Sequence, residues 1–369
     1  MMDGVHLTTA HTPLDTRIFD KEAKSLAEYG FDIGIMAHNT PNNEKHQLSF
    51  YDLGTPSTRI DRWKSVLQVA RKAKELDASI YHFHDPELIP VGLYLSKITD
   101  SAIIYDVHED YGHIVSMREW IPNVVTPFLS RGVPQIERYA ASQFDAVVTV
   151  SEWIAEPFVG INDNVCIAHN FPKVDSQPPR TKSIERNSEY VLCYVGGLVD
   201  VRGIYRMLRV LKVLVERGID IELWAIGSWK PDANKAQAKQ FIQEHELTSR
   251  VVFPGYLDHD EMFQHLYSAD VGLALLDVQH YQKGVPTKLF EYLYAGLPIV
   301  VTPIDAIGKY MPEKYCHIAP QDDIMVTADT VETALKTDYD DHEMRSLVEE
   351  KYSWEAESKS LISLYNRLL

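Results

Sequence analysis

The chain has 369 residues, 45% of them hydrophobic, which is enough to bury a sizeable core and more than one typical domain needs. Its 36 Lys and Arg stand against 53 Asp and Glu, a net charge of −17. Such a balance excludes a protein that holds nucleic acid by general phosphate neutralisation, although not a local basic patch. No stretch reaches the roughly 18 uninterrupted apolar residues of a membrane helix, and the opening MMDGVHLTTAH has no basic segment leading into an apolar one. Cys166, Cys193 and Cys316 are scattered in or beside apolar runs, without metal-site spacing. Buried free thiols in a cytoplasmic protein are the expectation.

From residue 5 short apolar runs alternate with amphipathic segments. VHLTTAH (5–11) reads as a strand and residues 17–29 as a helix stopped by Gly30; FDIGIMAHN follows as a second strand. A helix around 57–76, the strand ASIYHFHD (78–85), a helix from Pro90 and the strand AIIYDVHED (102–110) come next. DAVVTVS (145–151), a helix capped by Ser151, and VCIAHNF (165–171) complete a first half. Residues 172–189 carry three prolines and almost no apolar content, the composition of a linker. The alternation then restarts: YVLCYVGGL (190–198), a helix over 203–217, IDIELWAIGS (219–228), a helix at 232–247, RVVFPGYL (250–257), a helix at 258–269, DVGLALL (270–276), the segment GVPTKLFEYLYAG, and LPIVVTPI (297–304). Strand–helix alternation of this kind predicts two doubly wound α/β domains facing each other across a cleft: residues 1–172, a linker at 173–189, and residues 190–352.

Ligands in such sheets bind beyond the carboxyl ends of the strands, so those ends carry the functional reading. The first half ends its strands in His11, in His84, Asp85 and Glu87, and in His108, Glu109 and Asp110. The second ends them in Gly196, Gly197, Arg202 and Gly203, and in Gly227, Gly255 and the GVPTKLFEY motif. YVGGLVDVRG is a strand, a glycine turn and a helix start, which turns backbone N–H groups toward an anion, and Arg202 adds a guanidinium fork. In GVPTKLFEY a capping box opened by Thr287 would want its acid at Phe290; Glu291 falls one residue late, so capping explains it poorly. A carboxylate there suits two vicinal hydroxyls of a ribose, and Lys288 suits a phosphate.

Metal chemistry has candidates as well. His82 and His84 alternate onto one strand face, which permits chelation, but the nearby acids follow proline or open helices. Asp258-His259-Asp260 has a DxD form, yet Glu261 three residues after Asp258 makes it a helix cap. The expectation is no metal. Residues 59–74 hold Arg59, Arg62, Lys64, Arg71, Lys72 and Lys74 against Asp61, with Ile60, Trp63, Leu67 and Ala70 at helical spacing. That pattern reads either as an amphipathic helix with a solvated basic face or as attraction to an anionic membrane, with REWIPNVVTPF (118–128) as an apolar neighbour.

Together, TAHTPLDTRIFDKEAKSLAEYG, YHFHDPELIPVGL, YDVHEDY, YVGGLVDVRGI, GVPTKLFEYLYAGLPIVV and the closing YSWEAESKSLISLYNRL resemble a retaining glycosyltransferase of family 4, nearly end to end and in the family's order. The resemblance implies the GT-B fold, with a C-terminal helix at about 353–369 returning to the first domain. It also implies transfer of a hexose with retention and without metal or resident cofactor, from a nucleotide-sugar co-substrate to a saccharide or lipid-linked saccharide. The implied setting is the cytoplasm, at the inner face of a membrane, in bacterial surface polysaccharide or glycoconjugate synthesis, with no nucleic-acid partner. On this resemblance His108, Arg202 and Lys288 are catalytic; Gly196, Gly197, Gly227, Thr287 and Glu291 join Arg202 and Lys288 around the donor; and Thr16, Arg17, His84, Asp85 and Glu109 meet the acceptor. Three positions depart from the family pattern. Lys283 replaces the first glutamate of E-x7-E, Gly197 replaces a common arginine, and HTPLDTR lacks paired glycines. A degenerate nucleotide-sugar-binding protein and a GT-B epimerase remain the rival readings.

Overall fold

The computed structural model describes the chain apart from residues 1, 42–47, 56–58, 113–125, 176, 182 and 231–234, and apart from the side chains of residues 59–63 and 126–128. REWIPNVVTPF and the side chains at the start of the basic helix therefore lie outside the described residues. The chain divides into two compact units, Met1–Asn170 with Trp354–Leu369, and Phe171–Ser353.

The first unit is built on a seven-stranded sheet, β1 (Gly4–Leu7), β2 (Ile33–Ala37), β3 (Ser49–Asp52), β4 (Ile80–Phe83), β5 (Ala102–Val107), β6 (Ala146–Thr149) and β7 (Val165–Ile167), in the order β3-β2-β1-β4-β5-β6-β7. All its pairings are parallel. One face carries Val5, Leu7, Tyr81, Phe83, Ile103 and Tyr105 into an apolar layer. The other carries Ile33, Ile35, Ile80, Ile104 and Val148 against the segment Thr16–Tyr29 and the C-terminal helix Trp354–Leu368. That helix is tied down by the Trp354 indole, which donates to the Ser25 hydroxyl at 2.8 Å and the Lys21 carbonyl at 3.1 Å.

The segment read as one helix over 17–29 is two. Residues Thr16–Ala23 form a π-helix, capped by Asp15, and only Lys24–Tyr29 is α-helical before Gly30 ends it in the left-handed region. π-turns are rare and recur at functional sites; here the wider turn brings Arg17 and Glu22 together, five residues apart. The basic helix Arg59–Leu76 also differs from its reading: among its described side chains Ser65, Val69 and Ala73 are buried, while Leu67, expected inside, is 78% exposed.

The second unit repeats the plan with β8 (Tyr190–Val195), β9 (Ile221–Ile226), β10 (Val251–Gly255), β11 (Val271–Ala274), β12 (Ile299–Val301) and β13 (Cys316–Ile318), in the parallel order β10-β9-β8-β11-β12-β13. Both sheets reverse their strand order beside their first strand, at β1/β4 and at β8/β11, the switch points where open α/β sheets take ligands. All three cysteines are buried free thiols. Among the described residues no helix is long and apolar enough to cross a membrane.

At the second switch point Gly203 caps the helix Ile204–Glu216 with φ +84°, and a Cβ there would lie 1.9 Å from the Leu275 carbonyl oxygen at the end of β11. Gly203→Ala is expected to destabilise the protein by about 1–3 kcal/mol in urea unfolding. Gly308→Ala, where no atom stands within 4 Å of the added carbon, should fall within about 1 kcal/mol of the parent and on the stable side. Equal midpoints for the two variants would contradict the close approach at Gly203.

Candidate functional site

Each unit gathers unusual chemistry at its switch point. In the first, the face of the sheet that meets the π-helix is interrupted by polar residues. His6 pairs in register with His82 across β1 and β4, and Asp106 lies on the same face of β5, two residues beyond Ile104, which itself pairs with His82. His84 follows His82 by two residues. All are fully buried. Arg17 reaches down from the π-helix: its Nη2 donates to Asp106 Oδ1 at 3.2 Å, its Nε to Oδ2 at 3.3 Å, and its Nη1 to the Ala168 carbonyl at 2.9 Å. Glu22 Oε1 stands 2.9 Å from Arg17 Nε. Asp106 Oδ2 also lies 2.9 Å from His108 Nε2 and 3.2 Å from His84 Nδ1.

The electrostatics follow from burial. Desolvation alone would raise the Asp106 carboxyl, but Arg17, His108 and His84 outweigh it and hold the group well below the usual carboxylate range. Glu22, with desolvation uppermost and Arg17 only partly opposing it, moves the other way, well above its ordinary value. Burial lowers His6 and His82 strongly and His84 to about 4, so these imidazoles are neutral.

This corrects three acceptor-contact expectations. Arg17 is only 5% exposed and turned inward, with its guanidinium taken by Asp106, Glu22 and Ala168. His84 is buried against His6, Asp106 and His108. Asp85 is also buried and shapes the loop after β1, accepting from the N–H groups of Thr9 (2.6 Å) and Ala10 (3.1 Å) and from the Thr8 hydroxyl (2.8 Å). The polar surface that remains is His108, 11% exposed, with exposed Thr16 and Glu109. His11, partly exposed, sets its ring 5.3 Å from that of His108.

Reading the strand ends missed Asp106, His6, Glu22 and Tyr365. The signal was present: an acid inside AIIYDV and a histidine inside GVHL break runs that a parallel sheet, buried on both faces, should keep apolar. Among the described residues two groups of His and carboxylate atoms lie within 4.8 Å of one another, His6–Glu22–His82–His84 and His84–Asp106–His108. Asp258, the start of the DxD pattern, accepts from the Glu261 N–H at 2.9 Å as a helix cap, and Asp260 is exposed.

In the second unit the ends of β8, β9 and β11 converge on a glycine turn. The Gly196 carbonyl approaches Gly227 so closely that a Cβ there would stand 1.9 Å from its oxygen. Arg202 donates from Nε to the Tyr281 hydroxyl at 3.0 Å, and its Nη1 stands 3.4 Å from where a Gly197 side chain would begin. The helix Lys288–Tyr294 is anchored by buried Leu289, Phe290, Tyr292 and Leu293. The Tyr292 hydroxyl accepts from the Val195 N–H at 2.9 Å, tying this helix to the end of β8. Thr287 stands in helical geometry, and its side chain makes no cap bond to the helix that Lys288 opens. Lys283 is exposed.

The anchoring brings Lys288 Nζ over the Tyr194 ring at 4.2 Å and 3.1 Å from where a Gly196 side chain would begin. That nitrogen is buried with no hydrogen-bond acceptor among the described residues. Burial first, and the Arg202 charge second, lower it from 10.5 to about 7, while Glu291 acts in the opposite direction. A lysine charge held this way costs stability until an anion arrives.

The sign of that cost is testable. Between about 7 and 10.5 the unfolded chain keeps the proton that folded Lys288 has released, so the Lys288 contribution to stability improves as pH rises through this window. Below it the full penalty stands. Lys288→Met should therefore stabilise the ligand-free protein on the order of 2–4 kcal/mol near pH 6, with the gain shrinking toward pH 9.5, in urea unfolding of both proteins. A variant less stable than its parent at pH 6 would contradict the buried, unmatched charge.

Comparison with known proteins agrees with this geometry. Residues 16–171 match the model described as Glycosyltransferase Family 4, and residues 189–337 match Glycosyl transferases group 1. A glycogen synthase from Leptothrix cholodnii is 31% identical over 110 residues, which are 30% of this chain and 21% of that protein's length. Among solved structures, sucrose-phosphate synthase from Thermosynechococcus elongatus superposes with a TM-score of 0.71 at 15% identity, over 100% of this chain and 99% of its own. Anabaena HepE, solved with UDP, gives 0.72 at 12% identity, over 99% and 100%. Two doubly wound sheets of the GT-B kind, with both family models matching in order along one chain, make this protein a group 1, family 4-like glycosyltransferase.

Proposed function

We propose that the chain moves a hexose, with retention and without a metal ion, from a UDP- or GDP-sugar to a saccharide or lipid-linked saccharide in bacterial surface polysaccharide or glycoconjugate synthesis. The observation that carries this reading is the buried Lys288 ammonium, which has no acceptor of its own beside a glycine turn and Arg202. A diphosphate supplies the missing anion. Arg202, Lys288 and the N–H groups at the start of the helix Ile204–Glu216 neutralise the leaving group, and Glu291 takes the ribose hydroxyls. Gly196, Gly197 and Gly227 leave room for backbone to meet phosphate, and Thr287, next to Lys288 in the chain, joins them on the donor side.

The first unit supplies His108 beside the transferred sugar, with exposed Thr16 and Glu109 for the acceptor. Charge stabilisation and positioning then carry the reaction, and the departing phosphate helps to take the acceptor's proton. Anabaena HepE has been solved with UDP-glucose, which supports a nucleotide-sugar donor here. Residues Arg71 and Lys74 beside exposed Leu67 on the basic helix support a place at an anionic membrane face. Exposed Lys283, where the family keeps a glutamate, favours the second reading, a protein that binds the donor without transferring it.

Nucleoside diphosphate release from a panel of UDP-, GDP- and ADP-sugars, with saccharide acceptors, tests the proposal. Release should appear with one donor class and be unaffected by EDTA. It should fall about 10²–10³-fold in Lys288→Met or Arg202→Ala, since one lost donor to a developing anion costs roughly 2.7–4 kcal/mol. Glu291→Gln should weaken nucleotide binding by about 1.5–3 kcal/mol per lost hydroxyl contact in an intact fold. No release and no nucleotide binding would sink the proposal. Tight binding without turnover would favour the binding protein, and sugar isomerisation without acceptor an epimerase.

A further inference from the structure

The buried polar layer of the first unit contains more hydrogen-bonding groups than the proposed reaction uses, and their arrangement has a single direction. Asp106, ionised and held by Arg17, can only accept, so every nitrogen that bonds to it must bring a proton. His108 Nε2 lies 2.9 Å from Oδ2 and His84 Nδ1 lies 3.2 Å from it. Being neutral, His84 has then spent its one N–H, and its Nε2 accepts from His6 Nδ1 at 2.9 Å. The same logic leaves His6 Nε2 as an acceptor, 3.4 Å from the Tyr365 hydroxyl on the C-terminal helix. Tyr365, donating there, accepts from His82 Nδ1 at 3.1 Å. The chain starts at His82, whose Nε2 is buried with no hydrogen-bond partner. It runs through Tyr365, His6 and His84 and ends on Asp106, where His108 arrives from the other side.

We propose that Asp106 is a positioning residue: backed by Arg17 and this one-way chain, it holds His108 as the Nε2–H tautomer, so that Nδ1 is the atom that accepts a hydrogen bond from a sugar hydroxyl. The Nδ1 role rests on the reading of His108 as the histidine beside the transferred sugar; the tautomer does not. Geometry alone would also let the lone pairs of these histidines meet a divalent ion. Charge disfavours that arrangement: Arg17 and Asp106 already cancel, and a doubly charged ion with ionised Glu22 would leave this sealed interior with a net positive charge.

Two-bond ¹⁵N–¹H spectra of the full chain labelled with ¹⁵N-histidine, without substrate near pH 8, test the proposal. His108, identified by the signals lost in His108→Gln, should show the Nε2–H pattern, and His6, His82 and His84 the Nδ1–H pattern. Arg17 faces both Asp106 oxygens, Nη2 on Oδ1 and Nε on Oδ2, so the hold is tested by Asp106→Leu, which removes both acceptors: its His108 should show a mixture of the two tautomers in place of Nε2–H alone. With the ring released, kcat for transfer should fall about 10-fold or more, with KM for the sugar nucleotide within about threefold. A residue that merely supports the fold would lower the melting temperature and leave the tautomer as it was. If Asp106→Leu does not fold, the parent spectrum decides: His108 as Nδ1–H, or as a cation, overturns the proposal. Stoichiometric zinc in the purified protein that perturbs these ¹⁵N signals, or His108 still wholly Nε2–H in folded Asp106→Leu, does so too. The expected spectra with no turnover of any sugar nucleotide would overturn the transferase reading and the Nδ1 role, while leaving the hold of Asp106 on His108 established.

Discussion

A charge removed from water must find an opposite charge or a hydrogen-bond partner, and the two units of this protein answer that constraint in opposite ways. In the second unit the answer is incomplete. Lys288 is carried to the glycine turn by a helix whose apolar face is locked against β8 through Tyr292, and its ammonium meets an aromatic face and a second cation but no acceptor. Glu291 offsets part of the cost from a distance. An apolar residue would suit the empty protein better; a lysine suits a protein whose working state includes an anion.

In the first unit the charges are matched. Arg17 enters the core where the π-turn offers it the Asp106 carboxylate and the Ala168 carbonyl together, and neutral His84 and His6 continue the hydrogen-bonded chain from that carboxylate. What this interior presents outward is narrow: the His108 ring with its Nε2 already committed, next to His11. The proposed transfer draws on both features, a held imidazole in the first unit and an unmatched cation in the second.

The α/β class and the two parallel sheets were legible because strand-length apolar runs alternate with amphipathic helices, and period alone separates these. The glycine turn and the GVPTKLFEY segment were legible for a related reason: glycines, prolines and a misplaced acid punctuate the chain where local geometry is demanding. Three things were not. The π-helix could not be read, since one extra residue per turn leaves the apolar spacing of residues 17–29 nearly intact. The inward turn of Arg17, His84 and Asp85 was hidden because polar residues at strand ends look alike whether they face a ligand or one another. Leu67 is exposed because the helix turns Ser65, Val69 and Ala73 inward, and apolar size alone does not reveal that a face with a serine on it is the packed one. Asp106 sat in plain view, an acid within a buried strand, and its meaning emerged only with the register that sets it against His84 and Arg17.

If Lys288 is reserved for the anion of a nucleotide, binding must return a proton to it. Calorimetric titration with whichever of UDP and GDP binds, near pH 8.5 in buffers of different ionisation enthalpy, measures the protons taken up on binding. Because burial and Arg202 hold the empty site's lysine near 7, and a bound diphosphate restores its charge, uptake close to one proton per nucleotide is expected, absent in Lys288→Met. Binding without proton uptake, or equal uptake in the variant, would contradict the account.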